Sequence, residues 1–257
     1  MGASTPSTIT VRGFNLSDEL IGHLDLGGMA WLELTGRLPD ARQSRLFNAV
    51  LITLVEHGMT PMAMVARLTY MGAPESLQAA VAAGLCGMGT TFAGTTEGAA
   101  RMLHAALGDA APGQDVGEVA RQCVDGMLRA GQPIPGIGHP VHKPIDPRTP
   151  ALFAIARECG HHGRYVALME GIAAEAGRRT GKTLPVNATG AIGALACELG
   201  LDPRICRGLA VIGRAVGLVG HLAEELQQPI ARPLWEATEA AVAANAAAVA
   251  TGKPAHA

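Results

Sequence analysis

The densest set of reactive side chains lies in Pro135-Gly136-Ile137-Gly138-His139-Pro140-Val141-His142-Lys143-Pro144-Ile145-Asp146-Pro147-Arg148. Two imidazoles, an ammonium, a carboxylate and a guanidinium can bind anions and move protons, because imidazole titrates near neutrality and guanidinium forks onto carboxylates. Four prolines and two glycines in these fourteen residues exclude a regular helix or a central strand. A stiff loop that already fixes its ionisable groups loses little further freedom when a small charged ligand arrives.

Each remaining polar candidate has a plainer reading beside the chemical one. His139 and His142 are three residues apart, a spacing used by metal ligands, but on a proline-locked loop the helical geometry behind it is lost and no clear third ligand follows, so no metal is expected. His161 and His162 read as a solvated helix start, His23 and His104 as partly buried residues, and His57, before Gly58, as either a helix-end residue or a functional one. Arg214, inside Gly213-Arg214-Ala215-Val216-Gly217-Leu218, is desolvated at a cost unless an anion completes it or Glu224 or Glu225 pairs with it. Arg148 and Arg232 each adjoin a proline that holds the backbone, and three fixed arginines suit a ligand with several carboxylates.

The elements that must position these groups are helical. Apolar residues recur at the 3.6-residue period from Asn15 or Ser17 (the expected caps) to Leu34, over Leu46–Val55, from Thr60-Pro61 to Tyr70, and from Leu77 to Met88. Further helices are expected after Glu97, over Val116–Leu128, Leu152–Cys159 and Tyr165–Arg179, up to Leu199, and over Arg204–Gln227 and Trp235–Ala250. Leu184-Pro185-Val186-Asn187-Ala188-Thr189-Gly190 is a second stiff turn, and the Ala/Gly-rich helix that follows it can approach a neighbouring backbone closely. No stretch sustains a two-residue alternation. The expected fold class is all-α, one domain over 1–257 with a smaller helical lobe within about 110–210.

Composition excludes several roles. The net charge is -2 with dispersed basic residues and only eight aromatic ones, which removes the electrostatic and stacking arguments for nucleic acid. No run reaches the roughly 18 uncharged apolar residues of a membrane span, and the start of the chain lacks a signal peptide's pattern, so a cytoplasmic protein is expected. Five cysteines without a closely spaced pair suggest neither a disulfide framework nor a cysteine-rich zinc site.

Gly136-Ile137-Gly138-His139, Lys143 and Asp146-Pro147-Arg148 together resemble the Gly-x-Gly-His and Asp-Pro-Arg signature of the citrate synthase superfamily, with the histidine and arginine nine residues apart as in that family. Leu34-Thr35-Gly36-Arg37-Leu38-Pro39, Glu56-His57-Gly58, Gly213-Arg214-Ala215-Val216-Gly217 and Ala231-Arg232-Pro233 resemble its other motifs in the same order. The short chain, with Ala93-Gly94-Thr95-Thr96-Glu97 in place of the synthases' histidine turn, is most similar to stand-alone citryl-CoA lyases and to the lyase module of ATP-citrate lyase.

The resemblance implies a citrate-synthase-like multi-helical fold in its short form and retro-Claisen cleavage of citryl-CoA, or a related 3-hydroxyacyl-CoA, to acetyl-CoA and oxaloacetate. It implies that His139 hydrogen-bonds the hydroxyl that becomes the ketone, that His57, Arg148, Arg214 and Arg232 contact the substrate, and that Gly136, Gly138 and Lys143 contact coenzyme A. It further implies a homodimer in which Arg232 comes from the neighbouring subunit, and no metal or redox cofactor. One catalytic position departs from the family: Thr189 stands where the family has an acid/base aspartate, and a hydroxyl is no carboxylate substitute. Three readings follow: a lyase that moves its proton by another group or by a water held at Thr189 and Asn187, a condensing enzyme or one for another acyl-CoA, and a coenzyme A or polycarboxylate binder without catalysis.

Overall fold

A computed structural model describes residues 2–250, with side chains to 247. The helical expectation holds through most of the chain. The start differs: Gly2–Ser4 (β1), Ile9–Val11 (β2) and Phe14–Asn15 (β3) form an antiparallel sheet in the order β1-β2-β3, with Gly2 opposite Val11 and Thr10 opposite Asn15. Strands of two or three residues are too short to show an alternation in the sequence. Asn15 does cap a helix, its side chain accepting the Ser17 and Asp18 amides, but only the π-helical turn Leu16–Leu20; the long helix expected there begins anew at Leu26 behind the Asp25 cap.

The larger of two compact units comprises Met1–Leu54 and Thr90–Ile212, and the smaller begins with Val55–Gly89 and resumes at Gly213. Residues 110–210 thus lie inside the larger unit, and the division falls within the 22-residue helix Cys206–Gln227.

In the larger unit α1 (Leu26–Thr35) ends at Gly36, which takes the left-handed conformation, and α2 (Ala41–Val55) follows. Trp31 and Phe47 meet edge to face at 5.3 Å in its core. After α3 (Pro61–Gly72) and α4 (Leu77–Cys86), which belong to the smaller unit, come α5 (Thr95–Gly108), α6 (Val116–Arg129), α7 (Arg148–Cys159), α8 (Arg164–Thr180) and α9 (Ala188–Glu198). Nearly all of α9 is buried. A Cβ on its Gly193 would lie 2.9 Å from the Ala99 Cβ and 3.0 Å from the Thr96 carbonyl, so the small residues let α5 and α9 pack backbone to backbone.

In the smaller unit α3 starts as the sequence predicts, Thr60 capping and Pro61 in the first turn. Its neighbours are α4, the C-terminal half of α10 (Cys206–Gln227) and α11 (Ala231–Ala250). A Cβ on Gly84 of α4 would meet Leu218 at 2.8 Å. Pro233 sits in the first turn of α11, where a missing amide hydrogen leaves no helical bond unmade. The run Pro203–Gln227 has the length and mean hydropathy (1.4) of a membrane span, yet half of that stretch is buried inside the fold, as in a core helix.

Candidate active site

The loop between α6 and α7 is fastened to the start of α9 by its backbone. Ile137 bridges Val186, the Gly138 amide donates to the Pro185 carbonyl (2.7 Å), and the Asn187 amide donates to the Gly136 carbonyl (3.0 Å). The Asn187 side chain donates to the Gly138 carbonyl (2.7 Å) and its Oδ1 caps α9 at the Gly190 amide (3.0 Å). Gly136 lies at φ +88, and a Cβ built on Gly190 would be 2.2 Å from the Gly136 carbonyl oxygen. Two glycines are therefore what this crossing admits.

His139 emerges from that crossing. Its Nδ1 accepts the amides of Val141 (3.1 Å) and His142 (2.9 Å), and its ring stacks on His142 with centroids 4.4 Å apart. A nitrogen that accepts two amides carries no hydrogen, so the hydrogen sits on Nε2, where the ring offers a donor.

Asp146 makes a further tie. Its fully buried carboxylate accepts the Arg148 Nε (2.9 Å), Nη2 (2.8 Å) and amide (3.2 Å), and the Ala188 amide at the head of α9 (2.9 Å). Burial alone would raise its pKa; the Arg148 guanidinium and the two amides outweigh that and hold the carboxyl at about 2. The same two bonds orient the partly exposed Arg148 side chain, and they leave its Nη1 outside the Asp146 fork for an anion.

Thr189, in the first turn of α9, donates its hydroxyl hydrogen to Asn187 Oδ1 (2.7 Å) and so offers only lone pairs elsewhere. Beside His139 opens a cavity of about 360 Å³ lined by Gly138, His139, Lys143, Lys182, Thr183 and Leu184. Lys182 was not foreseen. Its signal was its place five residues before Asn187, at the mouth of the second stiff turn, and two ammonium groups on one cavity suit phosphate oxygens.

Gly136, Gly138, His139, Lys143, Arg148 and Thr189 thus come together in the larger unit, while His57, Arg214 and Arg232 belong to the smaller one. His57 follows the end of α2 and its amide donates to Glu56 Oε1 (2.8 Å). Gly217 of α10 presses on that turn, for a Cβ there would be 2.0 Å from the Val55 carbonyl oxygen. Arg214, 7% exposed, does not pair with Glu224 or Glu225, which bind Arg67 of α3 instead. Its Nη1 is 3.9 Å from Glu56 Oε1 and makes no hydrogen bond among the described residues. Burial lowers its pKa and Glu56 opposes that. A buried, under-bonded guanidinium fits an anionic ligand group. Arg232, in the first turn of α11, is 67% exposed and 4.0 Å from Glu236.

A family model for the citrate synthase C-terminal domain matches residues 16–234. The solved citryl-CoA lyase of Hydrogenobacter thermophilus is similar at 36% identity and a TM-score of 0.80, over 89% of this chain and 86% of that one. ATP citrate lyase of Methanothrix soehngenii, solved with citrate and coenzyme A, has a TM-score of 0.73 at 23% identity, over 88% of this chain and 38% of that one, a likeness of fold. A probable ATP-citrate synthase subunit 1 of Neurospora crassa is 26% identical over 87% of this chain and 35% of its own length. The chain spans about a third of the length of that curated relative.

Proposed function

Because the chain belongs to the citrate synthase family, we infer that it is a citryl-CoA lyase, which breaks a carbon–carbon bond in citryl-CoA to give acetyl-CoA and oxaloacetate. The observation that carries this reading is the fixed His139 donor at the mouth of a cavity bearing two lysines, on the same loop as Arg148. Lys143 and Lys182 take the phosphates of coenzyme A, with Gly136 and Gly138 lending the backbone that shapes the loop. Arg148, Arg214, Arg232 and His57 take the carboxylates.

In the reaction the tertiary hydroxyl loses its proton and becomes the ketone of oxaloacetate. The electron pair of the broken bond passes to the thioester as an enolate, which is protonated at carbon to give acetyl-CoA. His139 Nε2–H donates to the oxygen whose charge changes, while its Nδ1, held by two amides, takes no proton. The Thr189 hydroxyl is bound to Asn187 and is no base, so the proton leaves through another group or a water held there. That same residue favours a second reading, a homologue that binds coenzyme A and polycarboxylates without turnover.

A homodimer with composite sites completes the proposal. It is supported by the exposure of Arg232, and of Trp235 and Val242 on the same helix, at 44% and 63%.

The experiment is a coupled assay of citryl-CoA cleavage that follows oxaloacetate by its reduction, with Thr189→Asp run alongside. Release above the spontaneous rate by the unmodified chain supports the lyase. Silence from the unmodified chain and activity in Thr189→Asp moves the protein to the second reading, and silence from both folded proteins removes the lyase altogether.

A further inference from the structure

Arg67 is the one fully buried arginine among the described residues, 1% exposed, and it lies outside every motif discussed so far. Its guanidinium sends bonds in two directions. On one side Nη1 donates to Glu225 Oε2 (2.8 Å), and the Glu225 carboxylate accepts the amides of Ile230 (3.0 Å) and Ala231 (2.9 Å), the residues immediately before Arg232. On the other side Nη2 donates to His221 Nδ1 (2.9 Å) and to Glu224. A guanidinium has only donors, so His221 Nδ1 accepts and its ring hydrogen sits on Nε2, which lies 3.0 Å from Glu56 Oε2 as a close contact without hydrogen-bond geometry. Glu56 in turn accepts the His57 amide and faces Arg214.

We propose that Arg67 is a positioning residue for ligand binding: through Glu225 it sets the first turn of α11 and Arg232, and through His221 and Glu56 it sets His57 and Arg214. A buried ion pair alone is poor evidence of stabilisation, since desolvation offsets most of the Coulomb gain. Here a desolvated arginine fixes a histidine tautomer and two chain turns, each ending at a group assigned to the substrate's carboxylates. The inference rests on the functional reading for its ligand, and it names the residues that hold the carboxylate contacts of the smaller unit in place.

The test separates the two branches and the two ligands. Citrate and coenzyme A affinities are measured by calorimetry for the unmodified chain, Arg67→Met, His221→Phe and His221→Gln, each checked for cooperative melting. His221→Phe cuts only the branch to Glu56, so citrate binding weakens about tenfold while coenzyme A binding stays within twofold. His221→Gln keeps a donor near the Nε2 position and recovers most of the loss; Arg67→Met loses more than His221→Phe. A folded His221→Phe with unchanged citrate affinity overturns the proposal, as does equal weakening for both ligands, the mark of general loosening. If the unmodified chain binds no citrate, the functional reading fails, and nitrogen NMR of His221 decides the network by itself. Hydrogen on Nε2 that becomes mixed between the two nitrogens in Arg67→Met sustains it, and a tautomer indifferent to Arg67 removes it.

Discussion

Asp146 shows how one buried carboxylate orients the side chain and the helix start beside it. Its carboxylate is shared between Arg148 and the Ala188 amide, and its pKa of about 2 makes this a pH-dependent tie. The folded value is below the unfolded one, so the stabilisation is complete above about pH 4 and is lost as pH falls toward 2, amounting to about 2 kcal/mol. Asp146→Asn is therefore expected to lower stability at pH 7 by about that amount, and urea melts of the two proteins should converge as pH approaches 2. A gap that persists unchanged at low pH would show that the carboxylate charge is not the source. The variant also frees Arg148, whose own removal in Arg148→Ala should weaken citrate by about 1.5 to 3 kcal/mol with coenzyme A unaffected. His139→Ala should lower turnover about a hundred- to ten-thousand-fold while coenzyme A still binds. What the sequence made legible at this scale was the irregular loop itself, because four prolines and two glycines in fourteen residues exclude a helix there. Arg67 escaped notice although the signal that singled out Arg214, a guanidinium inside an apolar helix, is present there too, in Met64-Val65-Ala66-Arg67-Leu68. No motif surrounds it, and its partners lie more than 150 residues away in the chain.

Among the elements, the crossing of the loop over the head of α9 decides whether the side chains converge. Gly190→Ala would drive a methyl to within 2.2 Å of the Gly136 carbonyl oxygen, where the obstacle is backbone and cannot swing aside. Gly136→Ala adds a positive φ of 88° to a clash with the Gly190 Cα at 2.6 Å. Both are expected to lower stability by at least about 2 kcal/mol, read as a melting point lower by several degrees, and to abolish turnover in whatever fraction stays folded. Gly126→Ala at an exposed position of α6, with nothing within 4 Å of the new methyl, should instead raise stability by about 0.5 to 1 kcal/mol. If Gly190→Ala is as harmless as Gly126→Ala, the crossing is not rigid. The helices themselves were largely readable from apolar periodicity and from the Thr60 cap, whereas the Asn15 cap starts only a π-helical turn and the other boundaries that moved have local causes. Arg148-Thr149-Pro150 begins α7 four residues before the expected Leu152, because a proline is tolerated in a first turn. The small sheet at the start carried no periodic signal, and the two-unit division was hidden because its boundary lies inside an unbroken helix.

At the scale of the whole molecule, Arg232 bears on whether one chain suffices for a site. Arg232 is held at its backbone by the Glu225 carboxylate on the preceding two amides, yet its side chain is 67% exposed, with a loose contact to Glu236 at 4.0 Å. A guanidinium oriented by its helix and not by its neighbours suits a site completed across a subunit boundary, and the exposed Trp235 on the same turn supplies apolar area for such a boundary. Composite sites have an arithmetic consequence. If the sites are composite, then in His139→Ala and Arg232→Ala chains co-refolded in equal amounts each site draws its histidine from one chain and its arginine from another. Half of the histidines and half of the arginines are intact, so about a quarter of the sites regain both, whatever the size of the closed assembly. Activity should therefore rise from the low level of either variant alone to about a quarter of the unmodified rate, and it should fall on dilution if the subunits separate. If every site is built from a single chain, mixing restores nothing, because no site in either chain holds both residues, and the exposed arginine must then find its carboxylate within its own subunit.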